Sequence, residues 1–235
     1  MNFKIIGGTD CPLAHVYLKN GEKVMVERGA MAYMSDVSIE GKMNSNKGGL
    51  GGLFSAIGRS LTSGESMFIT EAVGTSDHGV IGIAPNIPGK IAELKVGDNQ
   101  YRLNTGAFLT CDASVTYNMA KQDVGKALFA GTGGLFVMET AGSGTMLINA
   151  FGDIVELTVS EDHPITIDNQ HVLAWDAALD YKIEIASGTF GFKTGEGFVN
   201  KFTGNGKVLI QTRNIESLAE VLIPYIPTQT SSSSN

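Results

Sequence analysis

Short apolar runs separated by polar turns recur along this chain in a fixed order. Residues 67–74, 135–142 and 197–204 read MFITEAVG, LFVMETAG and GFVNKFTG. Each passage is followed by a polar turn and a second apolar run, which reads GVIGIA, TMLINA or KVLIQT. A glycine-containing turn between two strand-like runs is typical of a β-hairpin, so the pattern predicts three hairpins.

A second kind of passage lies between these predicted hairpins. Residues 89–96 and 152–159 read GKIAELKV and GDIVELTV, and FLTCDASVTY and VLAWDAALDY follow them. The N-terminal stretch 17–40 resembles 95–116 with a one-residue slip. This order of motifs predicts an all-β fold of three approximate repeats, of which 65–118 and 133–184 are complete.

The two ends of the chain each supply half of such a repeat. We therefore expect both termini to complete the third repeat, with 16–40 beside 198–212, which would also remove a free sheet edge. The expected single domain spans 1–227, and TQTSSSSN at 228–235 is a predicted disordered tail.

Only a few short helices are predicted. One covers residues 122–129. The other begins behind Asn214 as the N-cap, repeats apolar residues at Ile215, Leu218 and Leu222, and ends near Pro224.

A glycine-rich stretch at 47–61, KGGLGGLFSAIGRSL, also carries large apolar residues. It is not a phosphate-binding P-loop, since five residues separate Gly52 from Gly58 and Arg59 stands where the motif needs lysine. Its apolar residues share one face of a helix: Leu50, Leu53, Phe54, Ile57 and Leu61. Two interpretations stay open, namely packing on its own domain and docking at a subunit interface or membrane surface.

Charge and cysteine content narrow the range of partners. The formal net charge of −7 disfavours nucleic acid, because an acidic surface repels phosphates. Cys11 and Cys111 form no metal-binding or disulfide pattern, so we expect two reduced core thiols in a cytoplasmic protein. The first residues have no signal-peptide pattern.

The usual signatures of enzyme chemistry are missing from the sequence. The four histidines are scattered without metal-ligand spacing, at His15, His78, His163 and His171. No G-x-S-x-G motif surrounds a serine. The sequence therefore predicts no catalytic residue, no metal and no cofactor.

Three aspartates take matching places in the repeated passages: Asp36, Asp112 and Asp176. If the repeats surround a common axis, these carboxylates could converge there and repel one another or bind a cation. The simpler hypothesis, which we favour, is that each ends a strand or accepts a hydrogen bond from a nearby backbone N–H.

The segments GGLGGL, SGESMFIT and GEGFVNKFTGNGKVLIQTR together resemble a known family. Over residues 1–225, the chain is similar to bacterial proteins of unknown function related to the mitochondrial "altered inheritance of mitochondria" biogenesis family. The resemblance implies an all-β fold like that of the tryptophan-RNA-binding attenuation protein, grouped with double-stranded β-helices. The mitochondrial relatives are linked to inner-membrane organisation, and the resemblance implies no catalytic residue.

Two functions remain open at this point. The favoured one is a non-enzymatic β scaffold, a homo-oligomer in the cytoplasm or at the membrane periphery, which docks on a protein partner or a membrane surface. The alternative is a small-molecule-binding or enzymatic β-barrel of the cupin type. That alternative requires a polar pocket near His78, His163 or His171.

Overall fold

The structure, a computed structural model, describes residues 1–8, 10–43, 68–121, 136–186 and 198–226. Strands dominate these residues, as the recurring apolar runs predict. The glycine-rich stretch, the helix expected at 122–129 and the tail expected at 228–235 lie outside the described residues.

Strand β1 (Asn2–Ile6) precedes three consecutive sets of six strands. The first set comprises β2 (Leu13–Leu18), β3 (Lys23–Glu27), β4 (Met31–Ser35), β5 (Val37–Met43), β6 (Phe68–Gly74) and β7 (Gly79–Ile83). The second comprises β8 (Ile91–Val96), β9 (Tyr101–Asn104), β10 (Phe108–Asp112), β11 (Val115–Lys121), β12 (Phe136–Gly142) and β13 (Gly144–Asn149). The third comprises β14 (Ile154–Val159), β15 (Ile165–Asp168), β16 (Val172–Asp176), β17 (Asp180–Ile185), β18 (Phe198–Thr203) and β19 (Gly206–Gln211).

The three sets share one pairing order, and every pair is antiparallel. The sixth strand of a set pairs with the first and third, as β7 does with β2 and β4. The fifth pairs with the second and fourth, as β6 does with β3 and β5. The same rule holds for β13 and β12 and for β19 and β18.

Neighbouring sets are joined where the second strand of one set pairs with the third strand of the next. These junctions are β3 with β10 and β9 with β16. They produce four sheets: β1-β2-β7-β4, then β5-β6-β3-β10-β13-β8, then β11-β12-β9-β16-β19-β14, and finally β15-β18-β17. We number these sheets one to four, and every set contributes strands to two of them.

The predicted strands at 68–83, 136–149 and 198–211 are present, but the prediction that they form hairpins is wrong. β6 belongs to sheet two whereas β7 belongs to sheet one, and β12–β13 and β18–β19 also divide between sheets. Glycines form the corners, with φ of 84° at Gly142 and 150° at Gly144. The chain leaves one sheet and enters another because these residues adopt backbone angles that side chains oppose.

The expected completion of a third repeat by both termini is also wrong. The strands between 16 and 40 pair with β1, β6, β7 and β10. The partners of β18 and β19 among the described residues are β14 to β17. Each set is continuous along the chain, from 13 to 83, 91 to 149 and 154 to 211. Among the described strands, the first and third sets each pair within themselves and with the second set, and no strand of the first set pairs with one of the third.

The third strand of each set is buried to very different extents. In β10 and β16 the first four residues are buried, and the side chains include Phe108, Cys111 and Trp175. In β4 all five residues are exposed. Cys111 is thus a core thiol as predicted, whereas Cys11 is exposed, because it lies in the loop before β2.

The helix predicted near the C-terminus is confirmed as α1 (Ile215–Leu222). Oδ1 of Asn214 accepts a hydrogen bond of 2.8 Å from the backbone N–H of Ser217, which caps the first turn. A 3-10 helix (Ile223–Tyr225) containing Pro224 follows, and another short one lies at Thr105–Ala107. No helix among the described residues is both long and apolar enough to cross a membrane.

Candidate functional site

Two of the three predicted aspartates occupy matching places and accept the same kind of hydrogen bond. Asp112 ends β10 and Asp176 ends β16. Oδ2 of Asp112 accepts a hydrogen bond of 2.7 Å from the N–H of Thr145, and Oδ2 of Asp176 accepts one of 2.8 Å from the N–H of Lys207. Each carboxylate therefore ties the end of a third strand to the start of a sixth strand.

Asp36 does not match the other two. The last residue of β4 is Ser35, and Asp36 follows it in the left-handed region with φ of 51°. Its backbone carbonyl, rather than its carboxylate, accepts a hydrogen bond of 2.8 Å from the N–H of Thr75. One residue separates β4 from β5, whereas two residues, Ala113 and Ser114, separate β10 from β11. An alignment that places Asp36 on Asp112 therefore places β4 one residue out of register with β10.

The histidines have local partners instead of a shared site. Nδ1 of His15 lies 2.6 Å from the hydroxyl of Tyr33, and Nδ1 of His171 lies 2.6 Å from the backbone oxygen of Gln211. His163 lies in a turn. Within the described ranges, no three His, Cys, Asp or Glu residues are placed to hold a metal ion.

A groove of about 770 Å³ lies between β8, at the edge of sheet two, and the face of sheet three. We call it the β8 groove. No histidine lines it, so it does not match the pocket that the cupin-type alternative requires. Its lining residues come from β8, β9, β14, β16, β19 and adjoining turns: Ala92, Glu93, Leu94, Asn99, Tyr101, Ile154, Glu156, Thr158, Val159, Ser160, Ala174, Trp175, Asp176, Asn205, Gly206, Lys207 and Leu209.

The charged lining of the β8 groove is predominantly acidic. It contains three carboxylates, on Glu93, Glu156 and Asp176, and one ammonium, on Lys207. Nζ of Lys207 lies 2.8 Å from Glu156, and this hydrogen bond raises the pKa of Lys207. Asn99 donates a hydrogen bond of 3.1 Å to Oδ1 of Asp176. A cationic ligand therefore fits this groove better than an anionic one.

Apolar side chains complete the lining. Trp175 is 1% exposed and packs edge-on against Tyr181 and Phe202, with ring centroids 5.0 and 5.5 Å apart. Leu209 and Ile154 are partly exposed and pack against a different cluster, which contains Leu94 and Ala174. Sequence reasoning missed this groove, because its residues come from two strand sets and no local motif links them.

Comparison with known proteins identifies the family. The family model described as mitochondrial biogenesis AIM24 matches residues 3–213. This chain belongs to the AIM24 family. The resemblance expected from the sequence motifs is thereby confirmed.

Two streptococcal proteins are similar to this chain over nearly its whole length. An uncharacterized protein of Streptococcus pyogenes serotype M6 is 47% identical over 230 residues, which cover 97% of this chain and 92% of that protein. A crystal structure of a Streptococcus pyogenes protein has 44% identity and a TM-score of 0.79, and the match covers 96% of this chain and 99% of that chain. Neither protein's name states a reaction or a ligand.

Proposed function

We propose that this AIM24-family chain is a non-enzymatic β scaffold, a single domain over 1–227 built from three repeated units. The six-strand sets described above are the units, and the common pairing order supports this interpretation. In the proposal, copies assemble head to tail when β15 of one copy pairs with β4 of the next.

The observation that carries the proposal is the exposure of β4. All five of its residues are exposed, although the corresponding β10 and β16 are buried along four of five residues. β10 and β16 are covered at their outer edges by β3 and β9, the second strands of the preceding sets. Among the described strands, β4 has no such cover and ends sheet one.

The complementary edge belongs to sheet four. β15 is the second strand of the third set, and sheet four ends at it. Among the described strands, none takes on β15 the position that β10 takes on β3 and β16 on β9. When β15 of one copy pairs with β4 of the next, both exposed edges are covered by a single interface. This interface has the same form as the two junctions within the chain, β3 with β10 and β9 with β16.

The two junctions within the chain indicate the register of the proposed junction between copies. Cys111 pairs with Met25, and Trp175 pairs with Arg102. Met34 in β4 corresponds to Cys111 and Trp175, and Thr166 in β15 corresponds to Met25 and Arg102. The correspondence follows from the register in which each strand pairs within its own set. Met34 of one copy should therefore lie opposite Thr166 of the next.

The composition of β4 supports an interface. Edge strands that stay free in solution are commonly protected by charged residues or proline. β4 reads MAYMS and has neither. Met31, Tyr33 and Met34 are 38%, 40% and 42% exposed, so pairing would remove a substantial apolar area from water.

Cysteine cross-linking between two different variants tests the assembly. One protein carries Met34→Cys and the other Thr166→Cys, both with Cys11→Ser, and the mixture is oxidised and separated on a non-reducing gel. We expect a cross-linked heterodimer. The matched control replaces Tyr17, which is 40% exposed on β2, with cysteine, and it should cross-link far less with Thr166→Cys.

Two results would contradict this proposal. One is a monomer by light scattering at every concentration, with no heterodimer after oxidation. The other is a double variant, Met34→Cys with Thr166→Cys, that forms only a disulfide within one chain. That result would mean that the third set closes on the first set of the same molecule.

Docking of the glycine-rich face on a membrane or protein stays a prediction, because Leu50, Leu53, Phe54, Ile57 and Leu61 lie outside the described residues. Replacing Leu53, Phe54 and Ile57 with serine should abolish liposome binding or dissociate the oligomer while the thermal transition of the β domain stays unchanged. A lost thermal transition, with association unchanged before melting, would show that these residues belong to the core.

A further inference from the structure

We propose that the β8 groove binds an extended cationic peptide, which adds to the free edge of β8 as an antiparallel strand. This inference concerns a surface different from the β4 and β15 edges and stands independently of the scaffold proposal. It rests on a strand that the chain itself places in the matching position of its first set.

That strand is β1, which covers the outer edge of β2. Phe3 pairs with Val16, and Lys4 pairs with His15. β2 is the first strand of its set, and β8 is the first strand of the next set. Yet among the described strands nothing pairs with the outer edge of β8, where sheet two ends.

The registers show which residues of β8 correspond to those under β1. His15 pairs with Gly82, the fourth residue of β7, and Glu93 pairs with Leu147, the fourth residue of β13. Glu93 thus takes the place of His15, and Leu94 takes the place of Val16. A strand added to β8 in the register of β1 would set the residue that corresponds to Lys4 opposite Glu93.

The surroundings of β1 correspond to the lining of the β8 groove. Met1 and Phe3 pack against a core cluster that includes the fully buried Leu147, and the amino group of Met1 lies 2.5 Å from Oδ1 of Asp112. The counterparts of Leu147 and Asp112 in the next set are Leu209 and Asp176. Both counterparts line the groove, and Leu209 is partly exposed.

The groove therefore has the form of the β1 site without its strand. The six residues of β8 extend over about 20 Å, which is enough for a peptide of five or six residues. Backbone hydrogen bonds to an exposed edge supply affinity in this kind of recognition, and side-chain pockets supply specificity. Leu209 and Ile154 favour apolar peptide residues, whereas Glu93 and Asp176 favour positive charge.

A synthetic peptide with the sequence of residues 1–6, MNFKII, is a direct probe. Its binding is measured by isothermal titration calorimetry. We expect saturable binding, and slower hydrogen exchange of the amides at 91–96 when the peptide is bound. Replacing the phenylalanine of the peptide with proline should abolish binding, because it removes a backbone N–H and distorts the strand.

Charge reversal in the protein provides the matched pair of variants. Glu93→Lys should weaken peptide binding by about tenfold or more, since it places like charges opposite each other. Glu184→Lys makes the same change at an exposed position of β17, away from the groove, and should leave the affinity unchanged.

Three results would overturn the proposal. The first is no saturable binding at millimolar peptide. The second is equal weakening by the two charge reversals, which would indicate general electrostatic attraction. The third is altered hydrogen exchange in β2 instead of β8, which would mean that the peptide merely replaces β1.

Discussion

Glu27, the last residue of β3, should make the stability of the folded chain depend on pH. Burial raises the pKa of its carboxyl group from 4.5 to about 7. Among the described residues, its Oε2 is buried without a hydrogen-bond partner. Removal from water without compensation disfavours the ionised form, and this is the physical cause of the shift.

The sign follows from which state holds the proton more tightly. The folded state does, since its pKa lies above that of the unfolded chain. The stabilising contribution is therefore fully present below about pH 4.5 and is lost as the pH rises through about 7. One pKa unit corresponds to about 1.4 kcal/mol, so the whole shift would amount to about 3 kcal/mol. Because solvent still reaches part of the side chain, we expect about 1–2 kcal/mol.

The assay is urea unfolding of the wild type and of Glu27→Gln at pH 5 and pH 8. Glutamine has nearly the same shape but does not ionise, so the variant should gain about 1–2 kcal/mol relative to the wild type between the two pH values. Glu40→Gln, at an exposed position of β5, is the control for the loss of one carboxylate. The reasoning is refuted if the difference between wild type and Glu27→Gln is the same at both pH values.

Two further predictions concern the thiols and the corner glycines. Cys11 is exposed, whereas Cys111 is fully buried with its pKa raised to about 12, so a thiol reagent should modify one cysteine in the native protein and both after denaturation. A native count of two would contradict the burial of Cys111. Gly74→Ala should destabilise the fold by about 1–3 kcal/mol, because the added Cβ would lie 2.2 Å from the backbone oxygen of Lys19. Gly106→Ala, whose Cβ would meet nothing within 4 Å, should change the stability by less than about 1 kcal/mol, and equal unfolding midpoints for the two variants would show the clash to be harmless.

Strand positions and helix starts can be predicted from the sequence, because they depend on residues close together in the chain. Short apolar runs between polar turns indicate the strands, and Asn214 indicates the start of α1 because an N-cap acts within a single turn. Strand partners were not predictable in the same way. A hairpin and a corner between two sheets share the pattern strand, glycine turn, strand, and only distant strands decide which one forms.

The candidate site illustrates the same limit. The comparison of Asp36 with Asp112 and Asp176 went wrong by one residue, because the turn after β4 is one residue shorter than the turn after β10. The β8 groove carries no sequence signal of its own. Glu93, on β8, and Leu209, on β19, become neighbours only after two sheets have formed and packed.

The division of each strand set between two sheets has a consequence for synthesis on the ribosome. When the first set has emerged from the ribosome, β3 still lacks its partner β10. Sheet two is then incomplete, because β8, β10 and β13 belong to the second set. The nascent chain therefore holds an unfinished sheet until most of the second set has been translated. Pairings between strands far apart in sequence also form slowly. Translation pauses within the second set should consequently prolong the exposure of an aggregation-prone edge.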